Sequence, residues 1–486
     1  MAEKRKLKIA VIGAGSSGLM AVVKLREIGQ TDIQVFERAS DLGGTWRDQV
    51  YPGVACDVPS HLYRFSFAPN AEWSTNCAAG SEILSYLRRV SEEHDITRDI
   101  KFDCEVDEAR WTDRGWQLKT SQGQFGPFDA IITAMGILRN PILPEIEGRG
   151  SFAGAEMHSA NWEPNLDITG KRVGVIGSGS TATQLVPAVV SKAKDVLQFQ
   201  RTAQWIMPLP NDPIPEETKQ LYRENAQKLQ ALYEKLGDDF NNKFAAAVVG
   251  ANPRVYAYME RICKENLERV KDPDLREKLR PDYEVGCKRL VMSDRYYEAI
   301  QEPNAHLITE GIERIEPKGV RTRDGTLHEL DILVYATGIN AHTPFAPMKL
   351  IGQGGQTIEE AWKDGAKAYL AVAIPDFPNF FTIGGPNSPI GNFSFLMTAE
   401  RQASYIVQLV DALADGTAAK LAPSHSATDA FNQAIRDKMG DTVWSTGCAS
   451  WYKDEHGNIS SWPWSYAEFE RMLARPDFDD FKIVEG

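Results

Sequence analysis

The chain lacks the features that would place it in a membrane or on nucleic acid. No apolar run approaches the ~20 residues that a membrane-spanning helix needs, and the 486 residues carry a net charge of −13. An acidic chain is a poor partner for nucleic acid and for anionic membrane surfaces. The apolar run at 9–12 leads straight into a glycine turn, so we interpret it as a first strand rather than as part of a signal peptide.

Cysteine is also scarce, and its positions are scattered. The six cysteines form no C-x-x-C pair, so neither a metal site nor a redox-active disulfide is expected. Reduced thiols in a cytoplasmic protein are the favoured interpretation. Apolar content of 42% and charged content of 25% are ordinary for a globular enzyme, and the length allows two or three domains.

The chain does have two glycine turns of the kind that bind dinucleotides. Residues 13–18 read GAGSSG and residues 177–182 read GSGSTA, each after an apolar run and before a predicted helix. Glycine permits the tight turn and the close approach of backbone to a pyrophosphate, which then lies at the helix N-terminus. One match would be weak in a chain with 38 glycines, but two in the same context are a strong signal. The residues expected at the two pyrophosphates are Gly13, Gly15, Ser17, Gly18, Gly177, Gly179, Ser180 and Thr181.

The residue 24 positions after the first glycine differs between the two turns. After the first turn, Glu37 ends the second predicted strand. A carboxylate there can hold two ribose hydroxyls but would repel a 2′-phosphate. After the second turn, Arg201 ends the corresponding strand, and an arginine binds a phosphate as a charge-assisted bidentate donor. The first turn is therefore predicted to bind FAD and the second to bind NADPH.

The predicted fold class is α/β, with two Rossmann-like dinucleotide-binding domains and an all-helical insertion in the second. The first domain lacks closing elements for so large a cofactor as FAD, so we expect the C-terminal part of the chain to fold back onto it. The predicted divisions are an FAD-binding domain at 1–145 and 345–486, a linker at 146–166, an NADP-binding domain at 167–208 and 285–344, and the helical insertion at 209–284.

Two longer motifs carry a resemblance to a known family. Residues 152–162 read FAGAEMHSANW and residues 43–57 read GGTWRDQVYPGVACD. Together with the glycine turns they resemble the type I Baeyer–Villiger monooxygenases, a group of class B flavoprotein monooxygenases. The first motif has that family's F-x-G-x-x-x-H-x-x-x-W pattern at every defined position. Relatives that oxygenate only nitrogen or sulfur usually have Phe where Trp162 stands, so this residue favours ketone oxidation.

The resemblance implies a two-stage cycle that starts with reduction of FAD by NADPH. The reduced flavin captures O2 as a C4a-peroxide, and one oxygen atom is inserted beside a ketone carbonyl to give an ester or lactone. The family's catalytic cation matches Arg289, and Asp57 is expected to orient it. A fixed cation suits this chemistry because negative charge develops during the reaction.

The resemblance also implies further contacts to the cofactors. Lys288, Arg201 and Thr202 are expected to hold the 2′-phosphate, and Trp451 is expected to bind NADP through its indole N–H. Trp46 and Tyr63 either pack around the flavin or only fill the core. His158 is expected to have a structural or conformational role rather than a catalytic one. The residues expected near FAD beyond the first turn are Gly44, Thr45, Trp46, Asp57 and Tyr63.

Two other functions stay open on the sequence. One is a flavin monooxygenase that mainly oxidises nitrogen or sulfur centres, and the other is an NADPH-dependent flavin reductase. The expected partners are a small-molecule ketone and O2, with no nucleic acid and no membrane span, and a homodimer stays open.

Overall fold

The computed structural model describes residues 4–391, 393–454 and 456–484. Positions 1–3, 392, 455 and 485–486 lie outside the described residues. They belong to the segments predicted to form the FAD-binding domain. Within the described ranges, no helix is long and apolar enough to cross a membrane.

The strands are numbered in chain order. They are Ile9–Ile12 (β1), Ile33–Phe36 (β2), Ile100–Lys101 (β3), Val106–Thr112 (β4), Gly115–Thr120 (β5), Gly123–Phe128 (β6), Ala130–Thr133 (β7), Ala155–His158 (β8), Arg172–Ile176 (β9), Asp195–Phe199 (β10), Ile206–Met207 (β11), Val291–Met292 (β12), Ala305–Ile308 (β13), Ile312–Glu316 (β14), Gly319–Thr322 (β15), Leu327–Glu329 (β16), Ile332–Tyr335 (β17), Lys349–Ile351 (β18), Phe380–Thr382 (β19), Lys420–Pro423 (β20) and Phe481–Val484 (β21).

The α-helices are numbered in the same way. They are Ser16–Glu27 (α1), Thr45–Asp48 (α2), Gly80–Glu93 (α3), Ser180–Val189 (α4), Glu216–Glu224 (α5), Ala226–Gly237 (α6), Ala245–Val248 (α7), Pro253–Leu267 (α8), Pro273–Lys278 (α9), Tyr296–Ala299 (α10), Ile358–Ala361 (α11), Phe395–Ala414 (α12), His425–Met439 (α13) and Tyr466–Met472 (α14). A π-helical segment, Asp238–Phe244, joins α6 to α7, so most of the chain between β11 and β12 is helical.

The first parallel sheet has the strand order β19-β7-β1-β2-β3. Every residue of β1 is buried, as expected for a parallel strand that is covered on both faces. Ile9 and Val11 belong to the core that also contains α1 and α12, whereas Ala10 and Ile12 pack with aromatic residues on the opposite face. Because β19 lies far along the chain, the C-terminal part of the protein completes this sheet.

The second parallel sheet has the order β13-β10-β9-β17-β8. β2 ends one residue before Glu37, and β10 ends two residues before Arg201. Each of these two charged residues therefore follows the strand after the helix of its glycine turn. The segment 146–166 is more than a connection, since its strand β8 pairs with β17 at the sheet edge. The two parallel sheets and their covering helices confirm the α/β fold class.

The structure corrects the expectation that the cysteines are all reduced thiols. Cys287 and Cys448 form a disulfide, with their Cα atoms 6.2 Å apart. They are 161 residues apart in the sequence, so no local spacing motif reveals the pair. The other four cysteines are free and buried: Cys56, Cys77, Cys104 and Cys263.

Candidate functional site

The first glycine turn is too tight for side chains at two of its positions. Gly13 has a φ of +105°, and a Cβ atom there would lie 2.7 Å from the carbonyl oxygen of Ala134. A Cβ on Gly18 would lie 1.9 Å from the carbonyl oxygen of Gly13. Helix α1 begins just after Gly15, which offers no side chain to cap it. Backbone N–H groups at this helix start are therefore available to an anionic ligand.

The second glycine turn has the same geometry. Gly177 has a φ of +133°, and its Cβ would lie 2.2 Å from the carbonyl oxygen of Ala336, the residue after β17. Helix α4 begins after Gly179, again without a side-chain cap. A Cβ on Gly179 would meet nothing within 4 Å, so this turn faces open space. Ser180 and Thr181 are half-buried at the start of α4, whereas Ser17 is buried in α1.

Glu37 is buried beside the first turn and is already held by protein donors. Its Oε2 accepts a hydrogen bond from the backbone N–H of Ala14 at 2.9 Å. Its Oε1 accepts from the N–H of Ala39 at 3.0 Å and from Nη1 of Arg47 at 2.9 Å. A carboxylate has about four acceptor positions, so one remains for a ligand. The role expected of Glu37 toward the ribose of FAD stays a prediction.

Arg47 is a residue of this site that the sequence reasoning missed. Burial is the largest influence and lowers its pKa, but the charges of Glu37 and Asp48 raise the pKa overall. The guanidinium also donates to the backbone carbonyl of Asp41. Arg47 thus joins the loop after the Gly43-Gly44 pair to the end of β2. The sequence signal that could have indicated this role is the basic residue directly after Trp46 in the motif at 43–57.

The residues expected around the flavin lie next to the first turn. Helix α2 starts at Thr45 after Gly44, and a Cβ on Gly15 would lie 3.6 Å from the Cα of Gly44. The indole N–H of Trp46 donates to the hydroxyl of Tyr63 at 3.2 Å, and their rings meet edge to face at 5.6 Å. Trp46 and Tyr63 thus form a pair adjacent to the turn, in a place consistent with either role expected for them.

Asp57 and Arg289 meet across 232 residues of sequence. Nη2 of Arg289 donates to Oδ2 of Asp57 at 2.5 Å. The charge of Asp57, against the opposing effect of burial, raises the pKa of Arg289. The arginine side chain keeps 31% of its surface exposed, so it can also contact a ligand. Burial raises the pKa of the neighbouring Tyr452 to about 12, although the charge of Arg289 opposes this. The structure therefore holds one permanent cation, oriented by a carboxylate, at this place.

Arg201 and Lys288 form a second positive site beyond the second turn. Partial burial lowers the pKa of Lys288, Asp282 opposes that effect, and the charge of Arg201 lowers the pKa further. The two cations are thus close enough to influence each other. Nζ of Lys288 lies over the ring of Tyr283, 4.7 Å from its centroid. In the described part of the chain, neither Arg201 nor Lys288 forms an ion pair within 4.0 Å. This arrangement suits a phosphate.

Ser178 and Gln184 are two further residues that the sequence reasoning missed. The hydroxyl of Ser178 donates to the backbone carbonyl of Thr202 at 2.6 Å, which holds the second turn against the loop of Arg201. Gln184, on α4, accepts from the hydroxyl of Tyr51 at 2.7 Å and donates to the carbonyl of Ala55 at 3.0 Å. Gln184 thereby joins the second nucleotide-binding fold to the loop that carries Asp57.

His158 and Trp451 lie in different surroundings. Nδ1 of His158 accepts from the backbone N–H of Ala160 at 3.0 Å, and burial lowers the histidine pKa. A neutral imidazole that caps its own turn fits the expected structural role. The ring of Trp451 contacts that of Tyr452 at a tilt of 31°, with centroids 4.3 Å apart, and Trp451 is 36% exposed.

Comparison with known proteins gives consistent results. A family described as flavin-binding monooxygenase-like matches residues 6–223. A monooxygenase of Mycobacterium tuberculosis is 42% identical, over 98% of this chain and 96% of its own length. A Baeyer–Villiger monooxygenase of Streptomyces coelicolor is 36% identical, over 98% of this chain and 93% of its own. The solved structure of OTEMO in complex with FAD and NADP superposes with a TM-score of 0.89 at 26% identity, covering 99% of this chain and 100% of that one.

Proposed function

The chain belongs to the flavin-binding monooxygenase-like family, and we propose that it is an FAD- and NADPH-dependent Baeyer–Villiger monooxygenase. The expected product is an ester or lactone, formed from a ketone and O2. The observation that carries the proposal is the Asp57–Arg289 pair. This pair supports the proposal because it supplies a permanent cation held by a carboxylate.

The residues present fit both cofactors. In each turn the first glycine is required because a Cβ would collide with a backbone carbonyl oxygen, at Gly13 and at Gly177, and each turn leads into a helix N-terminus without a side-chain cap. Glu37 would accept one ribose hydroxyl of FAD with its remaining lone pair. Arg201 and Lys288 would hold the 2′-phosphate of NADPH. The two cofactors would together supply the reducing equivalents and the activation of O2.

Arg289 would stabilise negative charge as it develops on the attacked ketone oxygen. A preorganised donor in a partly dry site is worth about 100- to 1,000-fold in rate. Asp57 would hold the guanidinium in one orientation. Trp46 and Tyr63 would exclude water on the flavin side.

We further propose the following division of the chain. Strands β1, β2, β3 and β7, together with β19 from the C-terminal part, support an FAD-binding domain at 1–145 and 345–486. The second sheet supports an NADP-binding domain at 167–208 and 285–344, with a helical insertion at 209–284 and a connecting segment at 146–166 that lends one strand to the sheet. Size-exclusion chromatography tests the homodimer, and cell fractionation tests a cytoplasmic location.

The test is oxygen transfer to a cyclic ketone and to a thioether, each with NADPH under labelled O2. We expect a lactone that carries one labelled oxygen atom. Sulfoxide formation without any lactone would favour the alternative function, oxidation of nitrogen or sulfur centres. NADPH consumption that yields no oxygenated product from either compound would favour a flavin reductase.

Arg289→Ala tests the cation separately. NADPH should still bleach the flavin absorbance, while lactone formation falls at least about 100-fold. Arg261→Ala is the matched control, because Arg261 is an exposed arginine of α8 whose contacts are to the exposed Glu265 and Tyr258 of the same helix. Undiminished lactone yield from Arg289→Ala would remove Arg289 from the mechanism.

A further inference from the structure

A covalent bond joins the two chain segments to which the proposed function assigns NADP contacts. Cys287 immediately precedes Lys288, and Cys448 lies three residues before Trp451. Their disulfide brings together segments separated by 161 residues. The second glycine turn at 177–182, which is also expected to contact NADP, belongs to neither of these two segments. The bond is thus placed where it can control the position of both Lys288 and Trp451.

The segment that contains Cys448 is an exposed loop, which we call the tryptophan loop (residues 445–451). Its residues are exposed or half-buried throughout. Within the described residues, no hydrogen bond connects Gly447, Cys448 or Ala449 to a distant part of the chain. Gly447 has a φ of +108°, so the chain turns sharply just before the disulfide.

Both ends of the tryptophan loop are anchored in the core. Trp444 and Tyr452 are 1% and 2% exposed, and their rings lie 5.2 Å apart. The loop therefore leaves the core and returns to it at nearly the same place. Between these anchors, the disulfide to Cys287 joins the loop to a distant part of the chain, while Ser445 and Thr446 form hydrogen bonds to the neighbouring residues Thr442 and Val443.

We propose that the Cys287–Cys448 disulfide positions the tryptophan loop for NADP binding and that its reduction releases the loop and weakens NADP retention. The inference rests on the proposed function, because it takes Lys288 and Trp451 to contact NADP. It makes the two cysteines positioning residues and makes NADP retention dependent on the thiol–disulfide state.

The exchange is balanced in both directions. A dithiol attacks one sulfur, the S–S bond breaks, and the protein gains two electrons and two protons as two thiols while the dithiol becomes a disulfide. Cys448 is the sulfur open to attack, because it is half-buried whereas Cys287 is fully buried. Hydrogen peroxide reverses the change by accepting the two electrons and becoming two molecules of water. Disulfides in reducing compartments are usually transient or redox-sensing, which fits such a device.

The first measurement is a thiol count on the FAD-loaded protein after rapid denaturation. The untreated protein should expose the four thiols of the free cysteines, and protein treated with dithiothreitol should expose all six. Reduction should also speed chymotrypsin cleavage after Trp451 about ten-fold, because a released loop fits a protease more readily. Peroxide treatment should restore the original count and the original cleavage rate.

The second measurement is calorimetric titration of NADP+ into the same FAD-loaded protein. Reduction should weaken binding about ten-fold, since the released loop has to be ordered again when NADP+ binds. Cys448→Ser should bind as weakly as the reduced protein and should not respond to dithiothreitol. Cys263→Ser, which removes a free cysteine in α8, should match the unmodified protein in both states.

Two results would overturn the inference. One is a count of six thiols in the untreated protein. The other is an NADP+ affinity and a cleavage rate that are the same before and after reduction. Absence of NADP+ binding even in the oxidised protein would contradict the proposed function itself. The thiol count and the cleavage rate need no NADP+, so they distinguish these failures.

Discussion

The two nucleotide sites share one backbone turn and differ in how the charged residue beyond it is held. Glu37 is 4% exposed and accepts three hydrogen bonds from the protein, one of them from Arg47. Arg201 is exposed, and in the described ranges neither it nor Lys288 has an ion-pair partner. The carboxylate of the first site is therefore paired and held in place before any ligand binds, whereas the two cations of the second site have no ion pair within 4.0 Å in the described ranges, although the charge of Asp282 acts on Lys288.

This difference matches the roles proposed for the two cofactors. A preorganised site loses little conformational freedom on binding, so it favours a cofactor that stays bound. Two cations without ion-pair partners gain binding free energy from the 2′-phosphate of NADPH, which NADH lacks, so they distinguish the two coenzymes. The same turn thus serves a resident and an exchanging cofactor, because the side chains beyond it differ in burial and pairing.

Glu37→Ala should have the largest effect, because it leaves the backbone N–H groups of Ala14 and Ala39 without their acceptor and leaves Arg47 with Asp48 as its carboxylate partner. Each buried donor left unsatisfied costs about 1–3 kcal/mol of unfolding free energy, measured by denaturant unfolding with tryptophan fluorescence. The double variant Glu37→Ala/Arg47→Ala should recover part of that loss. A single-variant loss below about 1 kcal/mol would mean that the first site is no more preorganised than the second.

Gly18→Ala should have the next largest effect. The new Cβ would lie 1.9 Å from the carbonyl oxygen of Gly13, and forced overpacking costs about 1–3 kcal/mol. The purified variant should contain little FAD, measured by its flavin absorbance. Gly179→Ala is the control in the second turn, because its Cβ would meet nothing within 4 Å. Equal flavin loss in both variants would remove the distinction between the turns.

Arg201→Ala should weaken NADPH without changing the unfolding free energy. A lost charged hydrogen bond of roughly 1.5–3 kcal/mol corresponds to about a ten- to hundred-fold rise in the NADPH dissociation constant. NADH lacks the 2′-phosphate and is the internal control, measured by the same flavin-reduction titration. Equal weakening of both coenzymes would contradict the phosphate assignment.

The pH dependence should show the smallest effect. Because partial burial and the nearby Arg201 lower the pKa of Lys288, this lysine loses its proton below the ordinary value of about 10.4. The preference for NADPH over NADH should therefore fall as pH rises through the alkaline range. Lys288→Arg should keep the preference constant over that range, since arginine stays protonated. A preference in the unmodified protein that does not change with pH would exclude Lys288 from the phosphate site.

The local features of the fold were predictable, whereas the partners of several residues were not. The turns at Gly13 and Gly177 were predictable because the glycine spacing after an apolar run itself indicates them, although the carbonyl groups that exclude a Cβ there belong to the distant Ala134 and Ala336. The pairing of Asp57 with Arg289 was expected only through the family resemblance, since nothing near either residue indicates the other. Arg47 was missed because its role depends on a loop that folds back onto the end of β2.

The sequence by itself determined the two glycine turns and the chemical difference between Glu37 and Arg201, because turn geometry and side-chain charge are encoded within about 25 consecutive residues. Only the tertiary structure decided which distant groups meet. It paired Arg289 with Asp57, bonded Cys287 to Cys448 and added β19 to the first sheet. Those contacts depend on how the sheets and helices pack, and local sequence carries little information about packing between segments more than a hundred residues apart.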